Sequence, residues 1–400
     1  MQWIADRLDL IQPSPSISAM NRAKALIAEG QDVCNMAAGE PDFPTPPFII
    51  EAAHKALLAG ETRYTAVDGT LALKRAICEK FSRENGLAVT PHQVSVGAGA
   101  KQVLYNAFTC SVNPGDEVIV PAPYWVSYPD IVKLNGGKPV FIPTDAARGF
   151  KISAAQLRAA IGPRTKWLVL NSPNNPSGAI YTEDELRGLG EELARHPHVR
   201  VLTDDIYEHV RYDDVPYATF AQVNPRLADR TLTVNGVSKT FAMTGWRIGY
   251  AAGPRDLIKA MEKLQSQTSG NPAAVSQAAA IAALQAPLDF FEAWRAEYQR
   301  RRDYIVRKLD GQHGLACPTP AGAFYVYPSC AAFIGKRTPA GKVIENDSDF
   351  VMYLLDEFKV ATVQGAAYGV SPAFRISFAT SMDVIEKACQ RILEACRALT

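Results

Sequence analysis

The chain has 400 residues, 42 basic and 41 acidic side chains, a formal net charge of +1, and 47% hydrophobic residues. This composition excludes a disordered chain, and the charge balance excludes an overall field for a polyanion or an anionic membrane, so any anion site must be local. At this length a single core usually divides, and two domains are expected.

The seven cysteines (Cys34, Cys78, Cys110, Cys317, Cys330, Cys389 and Cys396) include no C-x-x-C pair. Their odd number suggests reduced thiols in a cytoplasmic setting. The opening Met1 to Arg7 lacks a basic segment followed by an apolar run. No stretch approaches ~20 apolar residues, so neither export nor a membrane span is expected.

In chain order, the prolines of Gly39-Glu40-Pro41-Asp42-Phe43-Pro44-Thr45-Pro46-Pro47 suit an extended segment. From there to about residue 285, short β-rich runs alternate with helical patterns, which indicates a mostly parallel sheet wrapped by helices. Five strand candidates, 93–96, 117–120, 166–170, 199–202 and 231–234, run respectively into Gly97-Ala98-Gly99, Pro121 to Trp125, Asn171 to Pro176, Asp204-Asp205 and a loop holding Lys239. Ligands of open α/β sheets sit beyond the carboxyl ends of the strands, so these five ends are expected around one crevice. A charged helical pattern over 287–311 connects to an α+β portion. There, 323–327 and 374–378 are strand-like, and Thr380-Ser381-Met382-Asp383 has the form of a helix cap. The division is therefore 1–45, an arm and part of a small domain; 46–285, a large domain; and 286–400, a connector helix and small domain.

Several of these ends carry chemistry. The Gly97 to Lys101 turn opens a helix with apolar positions at Val103, Leu104, Ala107 and Phe108. It is either a tight turn or a phosphate site made by backbone N–H groups at a helix start. In Ser238 to Gly249, a lysine able to form an imine and an arginine with a planar fork sit among Phe241, Met243, Trp246 and small residues. A basic pair in such surroundings needs an anion. Asp204 either caps a helix or holds a protonated ring nitrogen, with the phenol of Tyr207 close by. Asn171 to Gly178 is either a turn-rich loop or part of the site.

Together with Ala38 to Phe43, Tyr64, Pro123-Tyr124-Trp125 and Phe374-Arg375-Ile376-Ser377, these motifs identify a resemblance over essentially the whole chain. The sequence resembles the class I/II (fold type I) pyridoxal-phosphate aminotransferases, in particular the bacterial aspartate aminotransferase subgroup. The resemblance implies an α/β fold with a mostly parallel central sheet and a smaller α+β domain. It implies that Lys239 carries pyridoxal 5'-phosphate as a Schiff base, that Asp204 pairs with the ring nitrogen, and that Tyr207 and Asn175 bond the ring oxygen. Trp125 would stack on the ring. The phosphate would meet the backbone of Gly99, Ala100 and Lys101, the Arg247 side chain, and Tyr64 from the neighbouring subunit of a homodimer. Arg375 would hold the substrate α-carboxylate, helped by Asn175 and Gly39. Periodicity alone also permits a solvent-facing edge-strand arginine at 375.

Many family members have a phosphate-touching serine where this chain has Gly236. A lysine at position 101, with Ser16 nearby, is associated in the subgroup with a distal carboxylate, which favours aspartate and glutamate as substrates; otherwise only its backbone N–H matters. Prephenate, also a dicarboxylate, is an alternative. A carbon–sulfur β-lyase would use the same Lys239 and Asp204. An effector-sensing module would need a DNA-binding domain, for which the match leaves no room. No nucleic-acid or membrane partner is expected, and no metal.

Overall fold

A computed structural model describes residues 3–400. Met1 and Gln2, the first residues of the expected arm, lie outside the described residues. The strands are β1 (Cys34–Asn35), β2 (Val94–Gly97), β3 (Glu117–Pro121), β4 (Lys138–Ile142), β5 (Thr165–Asn171), β6 (Arg200–Asp204), β7 (Thr231–Gly236), β8 (Gly249–Ala252), β9 (Tyr325–Val326), β10 (Val360–Ala361), β11 (Val363–Gln364) and β12 (Phe374–Ser377).

Strands β2 to β8 make a seven-stranded sheet in the order β2-β8-β7-β6-β5-β3-β4. Neighbours from β7 to β4 are parallel, while β8 runs antiparallel to both β2 and β7. The sheet is mostly parallel, as expected, and its five anticipated strands are present. The sequence does not mark β4 or β8. Lys138-Pro139 opens an edge strand weakly, and Gly249-Tyr250-Ala251-Ala252 is too poor in β-branched residues to read as a strand.

Side-chain alternation explains the layering. Val118, Val120, Trp167 and Val169 face the helices Ala100–Ser111 and Arg255–Ser266 through Val103, Leu104, Phe108, Ile258 and Met261. Ile119, Leu168 and Leu170 point the other way, onto Leu157, Leu186, Leu189 and Leu193. Burial on both faces is why these strands read as continuous apolar runs.

The two ends of the chain share a separate core. Strand β1 pairs parallel with β10, and Cys34 and Met36 pack with residues from the helices Asp289–Leu309, Asp347–Phe358 and Met382–Ala398. Beside them lies a three-stranded antiparallel sheet, β11-β12-β9. The C-terminal helix is capped one residue later than its sequence suggests, because Ser381 rather than Thr380 accepts from the Val384 N–H. The segment after β1 is clamped to the long helix. Asp42 pairs with Arg301 at 2.8 Å, and the Phe43 ring stacks on Trp294 at 4.7 Å. All seven cysteines are free. Among the described residues no single helix is long and apolar enough to cross a membrane.

Gly249 has one close contact that the site depends on. A Cβ there would lie 2.0 Å from the Ala100 nitrogen, so only glycine lets the Gly97 to Lys101 turn settle on β8. Gly249→Ala is expected to destabilise the protein by about 1–3 kcal/mol, as overpacking does. A urea unfolding midpoint equal to that of the unsubstituted protein would show that the turn yields freely.

Candidate active site

A cavity of about 310 Å³ opens where the carboxyl ends of β2, β3, β5, β6 and β7 converge. Each expected strand end contributes: Ala100 and Lys101 after β2, Trp125 after β3, Asn171 and Asn175 at β5, Asp204 and Tyr207 at β6, and Ser238 and Lys239 after β7. Arg247 comes from the lysine loop, and Ser16, Gly39, Tyr325 and Arg375 come from the two ends of the chain.

The Lys239 amine donates to the Gly39 carbonyl and lies 5.6 Å from the centre of the Tyr207 ring. Burial, reinforced by Arg375, lowers its pKa to about 8. Asp204 is buried, accepting from the Tyr128 hydroxyl at 2.7 Å and from the Ile206 N–H at 3.4 Å. Burial raises its pKa to about 6. A buried carboxylate of this kind at a cavity wall is matched to a cation such as a protonated ring nitrogen.

Gly99 precedes the helix Ala100–Ser111 with φ of +88°, so the turn aims the first helical N–H groups outward without a side-chain cap. Arg247 closes over that turn. It donates to the Thr244 carbonyl at 2.8 Å and the Ala98 carbonyl at 3.3 Å, and a Cβ on Gly99 would lie 2.2 Å from its Nη2. Helix dipole, free N–H groups and guanidinium together suit a phosphate.

Arg375 is only 2% exposed. It donates to the Ala37 carbonyl at 2.8 Å and to Asn175 Oδ1 at 3.0 Å, and it lies 4.4 Å from the centre of the Tyr325 ring. Its Nε is buried with no partner. The solvent-facing reading of this residue is therefore wrong. β12 is the central strand of its sheet, covered on both edges, and the unpaired N–H awaits an acceptor such as a carboxylate.

Lys101 places Nζ 4.9 Å from the centre of the Trp125 ring, and burial, then Arg247, lowers its pKa. Ser16 Oγ lies 3.0 Å from the Tyr368 hydroxyl. Tyr64 is 98% exposed and away from the cavity. Gly236 lies in β7 opposite Gly249, where a Cβ would come 3.1 Å from the Ile248 carbonyl. Sequence reasoning missed Tyr128, Tyr325 and Glu40. Tyr128, one helical turn beyond Trp125, carried the nearest thing to a signal.

Buried carboxylate, imine-capable amine, helix start with arginine, and unpaired guanidinium N–H match in turn the ring nitrogen, aldehyde and phosphate of pyridoxal phosphate and the carboxylate of an amino acid. The residues present thus fit the cofactor that the resemblance implies.

Comparison with known proteins agrees. The profile of the family "Aminotransferase class I and II" matches residues 31–392. The aspartate/prephenate aminotransferase of Cereibacter sphaeroides is 54% identical over 400 residues, covering 100% of both chains. The aspartate aminotransferase of Rhizobium meliloti is 53% identical, covering 99% of this chain and 97% of its own. A crystal structure of the Rhizobium meliloti enzyme superposes with a TM-score of 0.96 at 52% identity over 100% of both chains. That of the Thermus thermophilus aspartate aminotransferase with maleate gives 0.92 at 40% identity, over 99% and 100%.

Two outcomes follow from the electrostatics. The fraction of Lys239 in the neutral, nucleophilic form grows as pH rises through about 8. In cofactor-free protein its reaction with an amine-specific reagent should therefore show a midpoint near that value, and a midpoint at the ordinary lysine position would contradict the burial argument. For Asp204 the folded pKa of about 6 exceeds the ordinary 3.8 of an aspartate in water, so the folded state loses stability as pH rises between the two. Above that window the loss is on the order of 3 kcal/mol. Asp204→Asn should accordingly raise the melting temperature of the cofactor-free protein at pH 7 and leave it little changed near pH 4.

Proposed function

The chain belongs to the class I and II aminotransferases, which depend on pyridoxal phosphate, and on that footing we propose that it exchanges the amino group of aspartate or glutamate with a 2-oxo acid such as 2-oxoglutarate. The observation that carries this reading is the charge in the cavity. Four cationic side chains, Lys101, Lys239, Arg247 and Arg375, line it against the two carboxylates of Glu40 and Asp204. With Lys239 joined to cofactor, Arg247 and the helix start suited to the phosphate, and Arg375 to the α-carboxylate, Lys101 is the cation of the cavity without an assigned anion. Lys101 remains for a second carboxylate.

When bound, pyridoxal phosphate supplies an electron-withdrawing ring next to the substrate Cα. Asp204 would hold a proton on the ring nitrogen, and Tyr207 and Asn175 would bond the ring oxygen. Arg247 and the helix start after Gly99 would hold the phosphate, and Trp125 would stack on the ring. Lys239, whose neutral form burial favours, would be the base that takes the proton from the substrate Cα and carries it at its Nζ. Arg375 forks the substrate α-carboxylate, with Gly39 and Asn175 beside it, while Lys101 and Ser16 line the end of the pocket that takes the distal carboxylate. The two half-reactions share one site, so the kinetics are ping-pong. In a homodimer the exposed Tyr64 reaches the phosphate of the neighbouring subunit.

Prephenate as a second substrate is favoured by the name of the Cereibacter sphaeroides relative and by its two carboxylates, which the same pair of cations suits. A dicarboxylate pocket also accords with the maleate in the Thermus thermophilus structure.

The decisive experiment follows the absorbance of the loaded enzyme, which aspartate should bleach and either 2-oxoglutarate or prephenate restore. Sustained pyruvate release from a cysteine conjugate with no oxo acid present would instead indicate a β-lyase. Lys101→Ala should raise the KM for aspartate by roughly 10-fold or more, the scale of a lost charge-assisted contact, while changing that for a monocarboxylic amino acid far less. Equal effects on both would remove the distal-carboxylate role.

A further inference from the structure

Tyr325 touches both Arg375 and Tyr207. It sits on β9, fully buried, in register with Ser377 two residues past Arg375. Its ring lies under the Arg375 guanidinium at 4.4 Å, and its hydroxyl is 2.8 Å from that of Tyr207, which follows β6 in the other sheet. Gly39 makes room for that hydroxyl, since a Cβ there would come 3.2 Å from it.

We infer that Tyr325 is a positioning residue that gives its proton to the Tyr207 oxygen, so that the Tyr207 proton points into the cavity. This rests on the reading that Tyr207 faces the ring oxygen of the cofactor. Each phenol has one proton, so within the pair one must donate and the other accept. The arginine over the Tyr325 ring decides which. A cation against the ring makes that phenol the stronger acid and the better donor. Burial pushes Tyr325 up to about 12, with Arg375 pulling it back down, and pushes Tyr207 well above its ordinary value. The guanidinium thereby sets the direction of a hydrogen bond that ends at the cofactor. Without the Tyr325 hydroxyl, nothing in the structure keeps the Tyr207 proton turned inward.

The test is the pH titration of the near-visible absorbance of the loaded enzyme. A donor to the ring oxygen favours its negative charge, so losing the donor should raise the titration midpoint. Tyr207→Phe and Tyr325→Phe should both raise it, the second by at least about half a unit, and the double variant should go no further than Tyr207→Phe alone, because coupled sites are not additive. Tyr327→Phe is the control for a buried phenol on the same stretch of chain that bonds only the Gly365 and Val370 carbonyls; it should lower the melting temperature and leave the midpoint in place. A second arm, 3-fluorotyrosine at position 325, keeps the shape, acidifies the phenol and should lower the midpoint. A shift in Tyr207→Phe with none in Tyr325→Phe, or additive shifts in the double variant, overturns the role of Tyr325 alone. No shift in Tyr207→Phe overturns the reading of Tyr207 and this inference with it.

Discussion

The Arg375 guanidinium is almost wholly out of water, and keeping a charge there requires partners that no single stretch of chain supplies. They come from the Ala37 carbonyl near the start of the chain, from Asn175 beyond β5, and from the Tyr325 and Tyr368 rings near its end. To deliver Ala37, the N-terminal segment must cross to the C-terminal core and pair there through β1 and β10. To deliver Asn175, that core must rest against the carboxyl edge of the large sheet. Much of the architecture is the scaffold for one buried cation whose Nε–H stays unpaired.

The contrast with the other buried charges is instructive. Behind β6 and β7, Lys80 is as buried as Arg375, yet it is fully matched. Glu208 and Asn85 take its protons, Asn85 and Asn235 satisfy the remaining lone pairs of Glu208, and Glu84 lies 3.5 Å away. Glu84, opposed by burial but bonded to His209 and near Lys80, is held at about 2. That knot fastens the helix Leu71–Asn85 beneath the strands. In the cavity the charges are left incomplete on the open side, which is what a site for anions requires.

How much of this could be read beforehand follows the reach of each contact. The five strands whose ends converge, the glycine turn and the Ser238 to Gly249 loop are local patterns, and period and composition reveal them. Strand β8 was hidden because its small residues are there for close approach to the turn rather than for β propensity. Periodicity left an edge arginine open at 375 because nothing in the strand-like run 323–327 names its partner strand, and Val363–Gln364, two residues long, leaves no periodic trace. Tyr325 was legible as a strand residue but not as part of the site. Its partner Tyr207 is 118 residues away, and nothing in a run of aromatic residues says which hydroxyl will find another.

The segment between β1 and the clamp at Asp42 and Phe43 is tied at both ends, by the backbone ladder through Met36 on one side and by Arg301 and Trp294 on the other. Between those ties it presents the carbonyls of Ala37 and Gly39, one to the arginine and one to the lysine. A single inserted or deleted residue there has no loop in which to be absorbed, and it would slide both carbonyls off their partners together. The number of residues between β1 and the clamp is therefore as much a part of the site as any of its side chains.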